Sequence, residues 1–165
     1  MKSLELPSIG WREWVALPEL GIIKLRCKVD TGARTSALHA FYVEEYSEAG
    51  LAMVRFGLHP KQDDTKTEVH CQARIHDRRK VTDSGGHTEQ RYVIQTPVVL
   101  GKSIWDIEIT LTNRDTMKYR MLLGRTAIAR NFLVDASATG LAGKPSAHPA
   151  QHRVAHYMDN AGEEE

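Results

Sequence analysis

The chain contains several short stretches in which apolar and polar residues alternate. The first alternation runs through Ile23, Leu25, Cys27 and Val29, with Lys24, Arg26, Lys28 and Asp30 between them. A period of two predicts a β-strand with one buried face. The same pattern recurs at 68–77 and 105–113, and apolar stretches at 52–60, 121–124 and 133–137 are further strand candidates. The pattern therefore predicts a mostly β domain.

Turn-forming residues separate these stretches and predict how they connect. Residues 84–86, Ser-Gly-Gly, interrupt the strand-like segment 78–101 and indicate a hairpin, because glycine tolerates positive φ. Residues 113–119 are expected to form a turn. Residues 120–132 pass from a short apolar strand through a glycine into a short helix.

The composition changes near Gly143. We expect one domain at 1–142 and a flexible C-terminal tail at 143–165, because the later part holds two prolines, several histidines and an acidic end. The three histidines of this segment are spaced by four residues: His148, His152 and His156. A metal site there is an alternative, but the sequence favours a flexible tail.

Length and charge narrow the class of protein. The chain has 165 residues, 41% of them hydrophobic and 26% charged, which suits one globular domain, and its net charge of +1 gives no global argument for nucleic acid or membrane binding. The basic run Arg78-Arg79-Lys80 is expected to be a solvated loop. Two cysteines, no signal-peptide pattern and no bilayer-length apolar run predict a cytoplasmic protein with reduced thiols.

The first alternating strand ends in Asp30-Thr31-Gly32, which has two interpretations. Asp, Thr and Gly are turn residues, so the sequence can be a simple strand-to-turn transition. It can also be half of an aspartic dyad, in which two close carboxylates share one proton and activate a water against an amide carbonyl. The apolar strand before Asp30 and the strand, glycine and helix near residue 124 favour the dyad.

A specific resemblance supports the second interpretation. The segments CKVDTGARTSALHA and MLLGRTAI resemble a retropepsin-type aspartic protease. More narrowly, residues 9–135 resemble a bacterial family labelled "ATP-dependent zinc protease", which is associated with ATP-grasp glutamate ligases. The resemblance implies an all-β, retropepsin-like closed β-barrel with a flap hairpin and one short C-terminal helix. It also implies a homodimer, a peptide or protein substrate and a glutamate ligase as a partner.

The resemblance assigns roles to individual residues. Asp30 would be the catalytic aspartate, in a loop with Thr31, Gly32 and Ala33; the bracing strand would be Leu122, Leu123 and Gly124, followed by Arg125; and the flap tip would be Ser84, Gly85 and Gly86. Arg125 matches an arginine that, in retropepsins, pairs with an acidic residue just after the Asp-Thr-Gly-Ala run. This chain has Arg34 there, which puts that ion pair in doubt and suggests a preference for acidic substrates.

A dyad needs a second carboxylate, and the chain offers a poor candidate for it. Asp83 begins an Asp-Ser-Gly sequence, but the preceding residues are not an apolar strand and Asp83 lies where the flap is expected. The remaining source is the Asp30 of a second copy across a two-fold axis. We therefore predict a homodimer, with the strand near Leu133 and Val134 as an interface element.

Metal and nucleotide chemistry have little support in the sequence. There is no HExxH motif, His70 and Cys71 would point to opposite faces of a strand, and no GxxxxGK[ST] loop is present. We predict no metal and no cofactor. Three functions stay open: a dimeric aspartic peptidase, which leads; a protease-like binding module that acts with a glutamate ligase; and metal-assisted hydrolysis.

Overall fold

In the computed structural model of the chain, residues 5–114 and 118–151 are described. They form twelve strands, one turn of 3-10 helix at Pro18–Leu20 and one short helix, α1 (Arg125–Ile128). The strands are β1 (Ser8–Leu17), β2 (Ile22–Asp30), β3 (Ser36–His39), β4 (Tyr42–Glu48), β5 (Leu51–Leu58), β6 (Val69–Arg74), β7 (Asp77–Thr82), β8 (Thr88–Leu100), β9 (Ser103–Thr112), β10 (Met121–Gly124), β11 (Leu133–Thr139) and β12 (Ala150–Gln151). The mostly β prediction is confirmed.

Most strands belong to one sheet that closes on itself. Its order is β11-β1-β2-β10-β3-β9-β8-β7, and a further pairing of β1 with β8 joins the two ends of the inner part. The strands β1, β2, β10, β3, β9 and β8 therefore form a ring, as the closed all-β prediction requires. Strands β4, β5 and β6 form a separate antiparallel sheet.

Strand β2 shows the predicted alternation with one correction. Leu25, Cys27 and Val29 are buried, but Ile23 is 87% exposed and Ile22 takes the buried position. The pairing of β1 with β2 shifts by one residue between Val15 and Leu17. Such an irregularity moves the next side chain to the other face, which the sequence pattern alone did not indicate.

Strand β10 lies between two strands that are consecutive in sequence. It pairs in parallel with β2, where Gly124 is in register with Asp30, and antiparallel with β3, where Leu122 is opposite Ala37. This arrangement places the end of β10 beside the end of β2, although about ninety residues separate them. The ring interior is filled by large apolar side chains that include Trp105, Met121 and Leu123.

Two predicted segments lie partly outside the described residues. Residues 115–117 of the predicted turn do so, as do 152–165 of the predicted tail, including His152 and His156. The described part of that tail lies beside the start of β9. Ser146 donates its N–H to Gly101 O, and Ala150 donates its N–H to Lys102 O.

Candidate active site

The Asp-Thr-Gly loop holds the Asp30 carboxylate in one orientation. Asp30 Oδ1 accepts the backbone N–H groups of Gly32 at 3.0 Å and Ala33 at 3.2 Å. Asp30 Oδ2 accepts no hydrogen bond from the described residues. A Cβ at position 32 would lie 3.3 Å from Oδ1 and would crowd it, which explains the glycine. One oxygen is therefore fixed by the loop while the other is free to act on a ligand.

The end of β10 braces this loop from behind. Gly124 donates its N–H to Ser36 Oγ at 2.9 Å, and both residues are buried. A Cβ at Gly124 would lie 2.6 Å from the carbonyl carbon of Thr35, so no side chain fits. Leu123 next to it is buried in the core. The small residues at these positions allow three backbones to approach closely.

The first residues of helix α1 are hydrogen-bonded to the Asp-Thr-Gly loop. Arg125 donates its backbone N–H to Ala33 O at 2.7 Å and its Nη1 to Thr31 O at 3.1 Å. Thr126 donates both its N–H and its Oγ1 to Arg34 O. Arg125 thus supports the loop through a backbone carbonyl, a contact that does not need the acidic partner replaced by Arg34.

The hairpin of β7 and β8 ends in the predicted glycine-rich turn. Gly86 adopts φ +84°, where a side chain would be strained. Asp83 Oδ1 accepts the N–H groups of Gly85 and His87, each at 2.9 Å. The hydrogen bond from His87 N–H, aided by the charge of Arg114, lowers the pKa of Asp83 below its ordinary value. Asp83 therefore acts as the carboxylate that caps this turn.

The root of the hairpin is fixed by ion pairs. Arg79 makes two hydrogen bonds to Glu108 on β9, at 3.0 and 2.8 Å, and a further one to Asp77. His76 Nε2 lies 3.1 Å from Glu108. The hydrogen bond to Glu108 raises the pKa of Arg79, and that from Arg79 lowers the pKa of Asp77. The basic run at 78–80, expected as a solvated loop, is instead part of strand β7.

A cleft of about 670 Å³ lies between the Asp-Thr-Gly loop and the hairpin. Among the predicted site residues, Asp30, Gly32, Ala33, Arg34, Ser84, Leu122 and Arg125 line it. Thr31, Leu123 and Gly124 contact or brace the loop without lining the cleft, and Gly85 and Gly86 form the exposed tip of the hairpin. The fold therefore gathers the sequence-predicted residues around one cleft.

Basic residues dominate the cleft wall. Six cationic side chains line it, against the two carboxylates of Asp30 and Asp83: Arg34, Arg79, Lys80, Arg91, Arg114 and Arg125. Arg91 is only 7% exposed; it pairs with Glu89 and donates Nη1 to Thr110 Oγ1. Sequence reasoning missed the cleft roles of Lys80, Arg91 and Arg114. The hairpin predicted at 78–101 placed Lys80 and Arg91 on its two strands, but the sequence did not show which face of the hairpin meets the cleft.

The part of the chain that the structure describes offers no group of three or more His, Cys, Asp or Glu side chains placed to hold a metal.

Burial raises the pKa of Cys27 to about 12 and that of Cys71 to about 11, so both thiols stay protonated at neutral pH. Within the described residues, no helix is both long enough and apolar enough to span a bilayer.

The closed β ring, with its Asp-Thr-Gly loop braced by a strand inserted from far along the chain, is the architecture of the retropepsin-like proteins. A family model described as "Retropepsin-like aspartic endopeptidase RimB" matches residues 8–145. The chain belongs to this RimB-like family, which confirms the resemblance seen in the sequence.

Curated relatives carry a different name. The chain is 46% identical over 129 residues to a probable alpha-L-glutamate ligase of Shewanella pealeana and 45% identical over 127 residues to one of Desulfotalea psychrophila. These matches cover 78% and 77% of this chain but only 28% and 27% of the relatives, so the chain spans little more than a quarter of their length.

A solved structure shares the fold. It is a Legionella pneumophila protein described as of unknown function, with a TM-score of 0.69 and 27% sequence identity. The match covers 84% of this chain and 99% of that one. The fold is therefore that of an existing crystal structure over most of its length.

Proposed function

We propose that the protein is an aspartic endopeptidase whose dyad is made by the Asp30 residues of two copies. The observation that carries the proposal is the Asp30 carboxylate, with Oδ1 fixed by two backbone N–H groups and Oδ2 free at the cleft. The description of the family as retropepsin-like aspartic endopeptidase supports it. Asp83 in the same cleft is held in a similar way, but its Oδ2 lies 3.6 Å from Arg114 and its Oδ1 caps the hairpin turn. We therefore assign the second carboxylate to the Asp30 of another copy in a two-fold dimer.

In the proposed mechanism, two Asp30 carboxylates share one proton because two close like charges cannot both ionise. The ionised member takes a proton from a water, which attacks the peptide carbonyl, and the protonated member donates a hydrogen bond to the carbonyl oxygen. The carboxyl that took the proton from the water then gives it to the leaving amine as the C–N bond breaks, which releases the two peptide fragments and restores the dyad with one shared proton.

The flap role of the hairpin is part of the proposal. Its tip lies across the cleft from the Asp-Thr-Gly loop, and its turn residues, Ser84, Gly85 and Gly86, are exposed. A hairpin in this place can close over an extended peptide and exclude water. The fixed root at Arg79 and the conformational freedom of glycine at the tip suit such a movement.

The substrate we propose is a peptide rich in acidic residues. Six cations line the cleft; some are compensated by Glu108, Glu89 and Asp83, while Lys80 has no ion pair among the described residues. A positive cleft raises the local concentration of anionic peptides. The names of the relatives, probable alpha-L-glutamate ligases, support glutamate tails as substrate and such a ligase as partner. The cytoplasmic location predicted from the sequence is part of the proposal.

The test compares cleavage of an oligoglutamate peptide and a neutral peptide of equal length. Wild type should cleave the acidic peptide faster, and Asp30→Asn should lower the rate by at least about a hundredfold. Asp106→Asn, an exposed aspartate on β9, is the matched control and should keep full activity. Full activity of Asp30→Asn would refute the mechanism, and equal rates on the two peptides would refute the substrate preference.

A second candidate function is a binding module that holds acidic peptides without cutting them. The basic cleft favours this candidate as much as it favours catalysis. The distinguishing observation is the geometry of the dimer. If the two Asp30 carboxylates cannot reach one shared water, the protein binds acidic peptides and does not hydrolyse them.

A further inference from the structure

A second cleft lies on the outer face of β2, away from the Asp-Thr-Gly loop. Its volume is about 340 Å³. Its apolar wall includes Trp14 and Pro60, and four cations surround them: Lys24, Arg26, Lys61 and Arg120. We call this site the Trp14 cleft. No carboxylate lines it among the described residues.

Two cations of the Trp14 cleft are held against the indole ring and are not paired with a carboxylate. Lys24 Nζ lies 4.2 Å and Arg26 Cζ lies 4.5 Å from the centroid of the Trp14 ring. Neither forms a salt bridge with a described residue. The Arg120 Nε is buried and lacks an acceptor among the described residues. An unpaired buried donor is costly, so an anion that draws the Arg120 guanidinium outward would supply a missing partner.

The charge of the Trp14 cleft selects an anion with several charged groups. Guanidinium and ammonium groups bind carboxylates and phosphates alike. The Trp14 ring, however, already has two cations against it, so it is poorly placed to stack a nucleic-acid base, which single-stranded nucleic-acid sites require. The observations therefore favour an acidic peptide over a nucleic acid.

The cleft connects to Asp30 through one face of β2. Lys24, Arg26 and Lys28 point to the outer face, and Asp30 follows at the same alternation. Alternate residues on a strand are about 6.6 Å apart, which is also the spacing of alternate side chains in an extended peptide. The distance along β2 from Lys24 to Asp30 is about 20 Å, the length of roughly six extended residues.

We propose that the Trp14 cleft is a second binding site, which takes an acidic segment of the same peptide whose scissile bond lies at Asp30. The cleft would hold carboxylates about six residues from that bond. The connection to cleavage rests on the proposed function, whereas anion binding at the cleft does not. A protein with both sites would select peptides by the length of their acidic segment as well as by the residues at the bond.

The test is a binding experiment that needs no cleavage. The Asp30→Asn full-length protein is titrated with a fluorescein-labelled peptide of about ten glutamates, long enough to span both sites. Adding Lys24→Gln and Arg26→Gln should weaken binding about tenfold at low salt, since two charge contacts are lost. The matched control, Arg74→Gln with Lys102→Gln, removes the same charge from exposed positions that line neither cleft and should change binding less than about twofold.

Each outcome decides the proposal. Selective weakening by the Lys24 and Arg26 pair supports it, together with a smaller loss for a peptide of about four glutamates, which cannot span both sites. Equal weakening by the control pair would show nonspecific attraction and overturn it. Tighter binding of an oligothymidylate at the Trp14 cleft would also overturn it, in favour of phosphate. If Asp30→Asn keeps full cleavage activity, the proposed function fails while this binding result still stands.

Discussion

Asp30 owes its orientation to the residues around it more than to its own side chain. Gly32 and Ala33 supply the N–H donors, and Gly124 and Ser36 bring the end of β10 against the loop. The tight approach at Gly124, where a Cβ would meet Thr35 backbone at 2.6 Å, leaves no room for adjustment. Changes behind the loop should therefore affect catalysis without touching substrate.

Ser36→Ala tests this dependence at the level of one hydroxyl. The change leaves the buried Gly124 N–H without its acceptor, so we expect a loss of about 1–3 kcal/mol in the free energy of unfolding and a lower cleavage rate. Denaturant unfolding and peptide cleavage measure the two effects. Ser47→Ala, on the exposed face of β4, is the control and should change neither. Wild-type stability of Ser36→Ala would contradict the role of this hydrogen bond.

The buried thiol of Cys27 predicts how the free energy of unfolding depends on pH. Burial raises the pKa of its thiol to about 12 in the folded state, against 9.0 for an ordinary thiol. Between these values the unfolded chain loses a proton that the folded chain keeps, so the free energy of unfolding falls as pH rises. The stabilisation is complete below pH 9 and decreases by about 1.4 kcal/mol per pH unit above it.

Denaturant unfolding of wild type and Cys27→Ala across this range measures the effect. Cys27→Ala should be less stable than wild type below pH 9 because it leaves a small cavity. Its free energy of unfolding should fall less steeply above pH 9, because the variant has no thiol at this position to titrate. In the native state at pH 8, a thiol reagent should leave Cys27 unmodified. A slope shared equally by both proteins, or rapid native modification of Cys27, would contradict the prediction.

Side-chain ion pairs to other strands fix the root of the hairpin over the cleft. Arg79 on β7 and Glu108 on β9 form a double hydrogen bond, and Arg78 forms an ion pair with Glu45 on β4. The hydrogen bond from Arg78 lowers the pKa of Glu45, so the Arg78 contact weakens only in acid, below the ordinary carboxyl range. The hairpin is thus anchored at its base, and at its turn the Asp83 carboxylate lies 3.6 Å from Arg114.

Glu108→Gln should loosen this anchor. Amide hydrogen exchange at 82–88 should become about fivefold faster, since the charged contact to Arg79 is lost, and KM should rise more than kcat falls. Glu48→Gln, an exposed glutamate at the end of β4, is the control. Unchanged exchange in Glu108→Gln would show that the anchor does not control the hairpin.

The elements predicted from sequence are those with a clear period or a clear turn. Strand β2 and the hairpin turn at 84–86 follow from alternation and from glycine, and the strand-glycine-helix sequence at 120–132 gave β10 and α1. Strand β3 has four buried residues in a row, so it carries no alternation to read. That β10 braces the Asp-Thr-Gly loop was expected only from the resemblance, and its pairing with both β2 and β3 was not predicted, because local patterns do not encode partners across ninety residues.

Parts of the site were beyond local sequence reasoning for the same reason. Asp30, Gly124 and the hairpin glycines stand in recognisable sequences. Arg91 and Arg114 do not: they reach the cleft because β8 and β9 are paired around the ring, and nothing near them in sequence shows this. The exposed side of Ile23 depends on a one-residue shift in pairing that composition does not reveal.

At the scale of the whole molecule, the proposal requires two copies. Strand β11 lies at the end of the sheet order and pairs only with β1 among the described strands. Leu133 on this strand is 57% exposed. An exposed edge strand with apolar side chains is a natural surface for a second copy.

Leu133→Asp should therefore shift the protein from dimer to monomer and lower cleavage in parallel, because a charge is placed in an apolar contact. Light scattering after size-exclusion chromatography measures the mass, and circular dichroism checks the fold. Leu51→Asp, at the exposed first position of β5, is the control and should stay dimeric. A folded monomer that keeps wild-type activity would contradict the shared dyad.

The shared dyad is tested most directly by mixing active and inactive chains. Wild type and Asp30→Asn are combined in equal amounts, unfolded and refolded together so that copies pair at random, and mass spectrometry confirms the mixed dimers. If both aspartates are needed, only wild-type pairs are active, and activity should be about a quarter of that of the same total amount of wild type. An activity of about one half would show that each copy acts alone and would contradict the proposed enzyme.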